Sequence, residues 1–300
     1  MKKKKDIETK QDIKEQLEKC KHKSLNSLKN ACVTITMIFY VMAVFFPVFN
    51  IESKDRGIIH KMFGLLGASD RVINLIKHGG LIAIIAIVLI ISIKAFISFF
   101  NLYKDTAVEG VLVTDKQFKT LNDACEEYCK FLGLQNKYNV YVTLSKNKSG
   151  IFNFDIEQND VIKVSGYFTG TDDVARFALA RELAKRYYNQ IGVKNLLLTF
   201  CGRLIPILSH NYSKALEYSY DKAACVITND SDPVSKIATL VVNYQLARQM
   251  DKEEYNSNAG KSHNKYENMV WRSVNRMSYV PIGQYRIKAV RNMDEDGILF

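Results

Sequence analysis

Residues 31–49 read ACVTITMIFYVMAVFFPVF and contain no charged side chain. A helix of this length rises about 1.5 Å per residue and, with its uncharged neighbours, crosses a hydrocarbon core about 30 Å thick. A second apolar stretch, residues 80–100, is interrupted only by Lys94, close enough to its end for the ammonium group to reach the interface. The sequence therefore predicts a two-helix transmembrane hairpin over residues 31–100, with one span in each stretch.

The basic charge of the chain is concentrated before the first apolar stretch. The formal net charge is +11, and residues 1–30 hold ten lysines against five acidic residues. A lysine cluster beside a span favours contact with anionic lipid. The sequence has neither an aromatic-interleaved basic motif nor zinc-finger spacing. We therefore expect a lipid bilayer as partner, with anionic lipid at the lysine-rich leader, and no nucleic acid.

The same lysines predict the orientation of the chain. The loop between the spans has a weaker excess, with five basic and three acidic residues from 50 to 79. By the positive-inside rule the N-terminus is then cytoplasmic, and two spans return the chain to the same side. We expect a multi-pass protein whose leader (residues 1–30) and soluble domain (residues 105–300) are both cytoplasmic, in keeping with six cysteines that form no CxxC pair.

The leader shows apolar residues at roughly helical spacing among its lysines. These residues are Ile7, Ile13, Leu17, Cys20, Leu25 and Leu28. The pattern fits an amphipathic helix lying on the membrane, and it fits equally a solvated helix that continues into the first span. Both interpretations stay open from the sequence.

The soluble domain mixes helical and strand patterns. Residues 115–134 repeat apolar side chains at helical spacing, whereas residues 139–144 and 161–168 read as two strands of a short hairpin-like β unit. A helix then begins at Thr171, where two aspartates follow in the first turn, and runs to about Tyr188. The fold class predicted for the domain is α+β.

Three motifs follow in order along this domain. Residues 181–185 read RELAK, residues 217–221 read EYSYD, and residues 281–287 read PIGQYRI. This order resembles the HtpX-like zinc metallopeptidases, the membrane gluzincin family that includes the CAAX prenyl endopeptidases. Its members carry a transmembrane hairpin, a helix and small sheet, a helix with HExxH, a helix with ExxxD, and a terminal HPxxxxRI segment whose histidine is Val280 here. The resemblance implies a mainly helical, metallopeptidase-like (zincin) domain with a small β-sheet.

The resemblance also assigns roles to the acidic positions that are kept. Glu182 matches the general base of HExxH, and Glu217 matches the glutamate that is the third zinc ligand. Asp221 matches the aspartate that supports the ligands, and Arg286 matches the arginine of the terminal segment.

Both zinc-binding histidines of the family are lost. Arg181 and Lys185 occupy their positions, and neither cation offers a lone pair near neutral pH. We therefore expect no metal cofactor and favour a chain without catalytic activity. We would expect zinc binding and metalloendopeptidase activity only if His210 or His263 lay close enough to Glu217 to serve as an unusual zinc ligand.

The two cations suggest a hypothesis about the site. Fixed positive charges at Arg181 and Lys185 would neutralise Glu182 and Glu217, taking over the electrostatic role of the metal. The alternative is that all four are solvated charges on helix surfaces with no common site.

Three functions follow from these interpretations. The leading one is a membrane-anchored pseudopeptidase that acts by binding a polypeptide partner. The first alternative is an active membrane zinc metalloendopeptidase with unusual ligands. The second is a lipid-surface scaffold in which the lysine-rich leader carries the function.

Overall fold

A computed structural model describes most of the chain. The described residues are 12–51, 70–134, 138–143, 160–166, 172–190, 192–229, 232–242, 244–258 and 265–299. They form a mostly helical structure with one small three-stranded sheet, which confirms the α+β class.

The helices are numbered in chain order. They are α1 (Leu25–Ile51), α2 (Asp70–Tyr103), α3 (Lys119–Leu132), α4 (Asp172–Tyr187), α5 (Val193–Arg203), α6 (Pro206–Thr228), α7 (Pro233–Val242), α8 (Tyr244–Ala247), α9 (Lys252–Asn258), α10 (Lys265–Met277) and α11 (Gly283–Arg291). A π-helical turn, Lys104–Val108, continues α2.

The sheet has the order β1 (Val111–Leu112), β2 (Asn139–Thr143) and β3 (Val161–Ser165). β1 is antiparallel to β2, but β2 and β3 are parallel, with Val140 opposite Ile162. The hairpin-like unit predicted for β2 and β3 is therefore wrong. Parallel strands need a crossover of a dozen or more residues, and the segment from 144 to 160 is long enough to supply it.

The main core lies where α3, α4 and α6 pack against one another and against the sheet. Its fully buried side chains include Ile162, Phe177, Leu179, Leu183, Ile237 and Ile287. Alternate residues of β3, Ile162 and Val164, face this core, as expected for a strand with one covered face. The same helices carry the RELAK and EYSYD motifs, so the core fixes both motifs in place.

The first apolar stretch of the sequence lies in α1 and the second in α2. Among the described residues, one helical segment, Ile85–Val108, is long and apolar enough to cross a membrane. α1 packs along α5 and α2, and these three helices share an apolar cluster that includes Ile91, Leu196 and Phe200. The rest of the two-span prediction, including the topology, stays a prediction.

A glycine permits the closest approach between α1 and α5. A Cβ atom on Gly202 would lie 2.3 Å from the Cα of Cys32 and 2.7 Å from its carbonyl oxygen. The Gly202 backbone N–H donates to Thr36 Oγ1 at 3.2 Å, and that hydroxyl donates to the Cys32 carbonyl at 2.8 Å. Because both partners in the clash are backbone atoms, any larger residue at 202 must push the two helices apart.

We expect Gly202→Ala to destabilise the protein by about 1–3 kcal/mol, as overpacking of a tight contact does. Gly166→Ala is the control, since its added methyl would meet only Val142 Cγ1 at 3.3 Å and Thr143 O at 3.5 Å. Thermal unfolding of the two purified variants in one detergent measures the difference. Equal melting temperatures would show that α1 and α5 are not in this contact.

The leader helix, residues 12–19, packs against the soluble domain. Leu17 is fully buried, and its carbonyl accepts a hydrogen bond of 2.7 Å from the Tyr188 hydroxyl. The helix ends before His22, whose backbone N–H donates to Ser219 Oγ at 2.9 Å, and α1 begins only at Leu25. Neither interpretation from the sequence is correct for these residues, since the leader neither presents Leu17 to lipid nor continues into α1.

Leu17→Ala should therefore destabilise the folded domain by about 2–4 kcal/mol, the usual cost of a cavity at a fully buried leucine. Lys19→Ala, at an exposed side chain that forms an ion pair with exposed Glu15, should change stability by less than about 0.5 kcal/mol. Denaturant unfolding of both variants measures this difference. If Leu17→Ala unfolded at the wild-type midpoint, the leader would not be part of the domain core.

Candidate functional site

The candidate site lies between α4 and α6, which pack closely because small residues face each other. Ala180 and Ala184 on α4 and Ala223 and Ala224 on α6 are all fully buried. Alanines allow the two helix backbones to approach, and the longer side chains beside them then reach across the contact. Two acidic residues in the first turn of α4, Asp172 and Asp173, favour the start of this helix.

Arg181 crosses from α4 to both acidic residues of the EYSYD motif. Its Nη2 donates to Glu217 Oε2 in a short charged hydrogen bond. Its Nε lies 2.7 Å from Asp221 Oδ1 in an ion pair, although the N–H is not aligned as a hydrogen bond. The structure therefore brings the RELAK and EYSYD motifs into one site, with a guanidinium group at its centre.

Asp221 receives a second arginine from the terminal motif. Arg286 on α11 donates from Nε to Oδ2 at 2.7 Å and from Nη2 to Oδ1 at 2.8 Å. The Asp221 side chain is fully buried, and that of Arg286 is 6% exposed. A bidentate pair of this geometry is the strongest arrangement of a guanidinium and a carboxylate. Asp221 thus joins α4, α6 and α11 through two cations.

Glu182 has its own cations on α4. Lys185 Nζ donates to its Oε1 at 2.7 Å, and Arg186 Nη1 lies 3.6 Å from Oε2. Arg186 also donates to the Glu182 carbonyl at 2.9 Å and to the Val161 carbonyl of β3 at 2.5 Å. The sequence reasoning missed Arg186, although its position four residues after Glu182 places both side chains on one helical face.

The structure thus pairs each of the two acids, Glu182 and Glu217, with a cation of the RELAK motif. Arg181 neutralises Glu217, and Lys185 neutralises Glu182. These four side chains are between 14% and 24% exposed, so they are not solvated surface charges. These contacts confirm that Arg181 and Lys185 neutralise Glu217 and Glu182, so the alternative of separate solvated charges is wrong. That the two cations take over the electrostatic role of a metal stays a prediction.

The electrostatics of the site follow from these pairs. Burial disfavours the charged form of Glu182, but the nearby Lys185 and Arg186 outweigh it and hold the pKa of Glu182 below its usual value. The pKa of Asp221 is also lowered, since burial is outweighed by Arg286 and Arg181. Burial opposes the charge of Arg181 as well, yet its carboxylate partners raise the pKa of this guanidinium. Glu182, Asp221 and Arg181 therefore stay charged at neutral pH.

The lowered pKa of Glu182 limits its use as a general base. A general base works best when its pKa lies near the operating pH and when its lone pairs reach the proton to be removed. Glu182 has a lowered pKa and gives one oxygen to Lys185. This carboxylate is therefore a weak base, and one of its oxygens already accepts a hydrogen bond from Lys185.

The histidines do not supply a replacement zinc ligand in the described part of the chain. His210 lies two helical turns before Glu217 on α6, about 10 Å along the axis at the usual rise. Its Nδ1 lies 3.0 Å from the carbonyl oxygen of Arg276, and its ring contacts Tyr279. His263 lies outside the described residues. Among the described residues, no three His, Cys, Asp or Glu side chains form a group that would hold a metal ion.

The lowered carboxyl pKa values predict acid sensitivity. Glu182 and Asp221 have pKa values below their ordinary values near 4 in the folded state, so the unfolded chain binds protons first as the pH falls. Their contribution to the free energy of unfolding is complete above about pH 5 and is lost as the pH falls below about 4.

Urea midpoints measured from pH 7 to pH 3 test this expectation. The midpoint should fall steeply below about pH 4 in the wild type and less steeply in Glu182→Gln, which lacks one of the two titrating groups. Identical pH profiles for the two proteins would contradict the assignment of a lowered pKa to Glu182.

The chain was also compared with known proteins. Comparisons with protein-family models, curated proteins and solved structures gave no match. The resemblance to the HtpX-like peptidases therefore rests on the three motifs, and membership of that family is a proposal.

Proposed function

We propose that this chain is a membrane-anchored, metallopeptidase-like protein that binds a polypeptide partner without hydrolysing it. The observation that carries the proposal is the pairing of Arg181 with Glu217 and of Lys185 with Glu182. In a zinc peptidase the corresponding acids would bind the metal and activate water. In this chain, the cations at the positions that match the two histidines form ion pairs with both carboxylates. The charges of these acids are therefore balanced without a metal.

The sheet supports the polypeptide as the ligand class. Among the described strands, β3 is at the edge of the sheet, and it packs against α4 beside the charge-paired site. In peptide-binding domains an extended peptide commonly adds as a further strand along an edge strand. Peptide binding by this route needs no metal and no catalytic base.

The membrane arrangement is the second part of the proposal. Among the described residues, one helix is long and apolar enough to span a membrane, and the exposed apolar side chains of α1 include Met37, Ile38, Val41 and Met42. We propose that α1 and α2 cross the bilayer together as a hairpin. The leader and the soluble domain then lie on the cytoplasmic side, with the lysines that precede the leader helix close to anionic lipid.

The function is tested with the full chain in lipid nanodiscs and a fluorescein-labelled, chemically unfolded casein as the probe. Fluorescence anisotropy measures binding, and mass spectrometry measures cleavage, each with added zinc and with a chelator. We expect saturable binding that neither zinc nor chelator changes, and no new fragments. Glu182→Gln should bind equally well.

Two outcomes would overturn the proposal. Fragments that disappear with chelator and in Glu182→Gln would make the chain an active metallopeptidase. Absence of binding under all conditions would remove the polypeptide as the ligand of this domain.

A further inference from the structure

Helix α10 carries an apolar face that no described residue covers. Its exposed apolar side chains recur every three or four residues, as on one face of an amphipathic helix. They are Tyr266, Met269, Val270, Val274 and Met277, with exposed fractions of 71%, 58%, 40%, 54% and 78%. Single exposed apolar residues are ordinary, but five on one helical face form a patch, interrupted by Ser273, whose hydroxyl donates to the Met269 carbonyl.

The opposite face of α10 is fixed to the domain, so the apolar face is held outward. Asn275 is fully buried and donates from Nδ2 to the Ile298 carbonyl at 3.0 Å. Its own backbone carbonyl accepts a hydrogen bond of 2.9 Å from Nζ of the buried Lys214 on α6. The Trp271 ring lies 6.1 Å from that of Tyr285 on α11.

α10 is connected to the start of α1 through an aromatic contact. Tyr285, which contacts Trp271, packs against the same small core cluster as Leu25, the first residue of α1. The end of α10 meets the start of α6 through His210, whose ring nitrogen lies 3.0 Å from the Arg276 carbonyl. α10 is therefore linked, through Trp271 and Tyr285, to the core cluster that contains the first residue of α1.

A second exposed apolar segment lies in the same region. The turn between α5 and α6 exposes Leu204, Ile205 and Ile207 by 47%, 44% and 57%. The turn directly follows Gly202, the residue in closest contact with α1. The exposed apolar surface of α10 is thus accompanied by another at the end of the α1–α5 contact.

Basic residues border one side of the apolar face of α10, and the exposed Glu267 borders the other. Arg272 and Arg276 are exposed and lie one helical turn apart, on one side of the apolar stripe. An apolar face bordered by arginines is typical of a helix that lies in the plane of a membrane, where its arginines meet anionic headgroups.

We propose that α10, together with the turn at residues 204–207, lies in the headgroup region of an anionic bilayer. The apolar face of α10 enters the boundary between headgroups and acyl chains, and its arginines contact the lipid phosphates. The proposal rests on insertion of α1 and α2, because the bilayer that they cross is the surface on which α10 lies. It favours lipid over a protein partner because α10 is linked through Tyr285 to the cluster at the start of α1, and through His210 to the helix that follows the exposed turn after Gly202. The surface would hold the domain close to the membrane in one orientation.

The test uses fluorescence of single-tryptophan variants of the full chain in vesicles of phosphatidylcholine and phosphatidylglycerol. The only native tryptophan is Trp271, so Trp271→Phe gives a background without one. Met277→Trp in this background reports the apolar face of α10. Phe96→Trp reports α2, and Leu246→Trp reports α8, which lines a cavity of about 230 Å³ against the start of α4.

Brominated lipids should quench the tryptophans at positions 277 and 96 at least about twofold more than the one at 246. Bromines placed near the headgroup should quench position 277 more than bromines deep in the acyl chain.

If position 96 is quenched and position 277 is not, the anchor is confirmed and the proposal for α10 fails. If position 277 is protected from aqueous iodide but not quenched by lipid, a protein surface covers α10, and the proposal is wrong. If neither position is quenched, both the anchor and this proposal fall.

Discussion

Replacing Arg181 and Lys185 by histidine together is expected to create a zinc site in this chain. The two residues are four apart on α4, the spacing at which HExxH places two imidazole nitrogens on one metal ion. Arg181 already contacts Glu217, so a histidine at 181 starts close to the third ligand. With two histidines and one glutamate, we expect zinc binding at about 1 µM or tighter.

Zinc binding is measured by isothermal titration, and its effect on folding by thermal unfolding with and without zinc. Bound metal should raise the melting temperature of the double variant and leave that of the wild type unchanged. Glu217→Ala in the double-histidine background is the matched control and should remove the affinity. If the double variant binds no zinc, α4 and α6 do not hold these positions in metal-binding geometry.

Removing the carboxylate of Asp221 is expected to cause the largest loss of stability of any single substitution at the site. Asp221 lies between Arg181 and Arg286, whose side chains are 14% and 6% exposed. Without it, Arg286 keeps its buried charge but loses the carboxylate that accepts both of its hydrogen bonds. We expect Asp221→Ala to lower the free energy of unfolding by about 3–5 kcal/mol.

Denaturant unfolding measures this loss, with Asp123→Ala on the exposed face of α3 as the control. The double variant Asp221→Ala, Arg286→Met should recover part of the stability, because it removes the uncompensated charge along with its partner. A wild-type unfolding midpoint for Asp221→Ala would show that the buried ion pairs do not hold α4, α6 and α11 together.

The main helices and the class of the domain were predictable from sequence because their signals are local. The apolar periodicity of α3 and the aspartates at the start of α4 each act within one element. The direction of β3 was not predictable, because side-chain alternation is the same in parallel and antiparallel strands. The pairing direction depends on the path of residues 144–160, which alternation does not encode.

The leader shows a related limit of sequence reasoning. Its spacing correctly marked Leu17, Cys20 and Leu25 as covered residues, and all three are buried, although Leu25 belongs to α1 and not to the leader helix. The pattern indicates that a face is covered but not which surface covers it. In this chain the cover is the soluble domain, through contacts such as that between Tyr188 and the Leu17 carbonyl, which join residues far apart in sequence.

The candidate site was predictable where the motifs supplied the residues. The order of RELAK and EYSYD placed Arg181 near Glu217, and the structure brings them into contact. The sequence predicted neither the contact of Arg286 with Asp221 nor the role of Arg186, because each depends on side-chain directions set by tertiary packing. The sequence of a helix does not show whether an arginine faces solvent or a buried carboxylate.

If cations occupy the place of a metal in this site, the purified full chain contains little zinc, and its metal content measures this. Elemental analysis is made after expression in zinc-supplemented medium, with Glu217→Ala as the control. The account predicts substoichiometric zinc, equal in the two proteins. Zinc near one per chain in the wild type, lost in Glu217→Ala, would contradict it and identify Glu217 as a metal ligand.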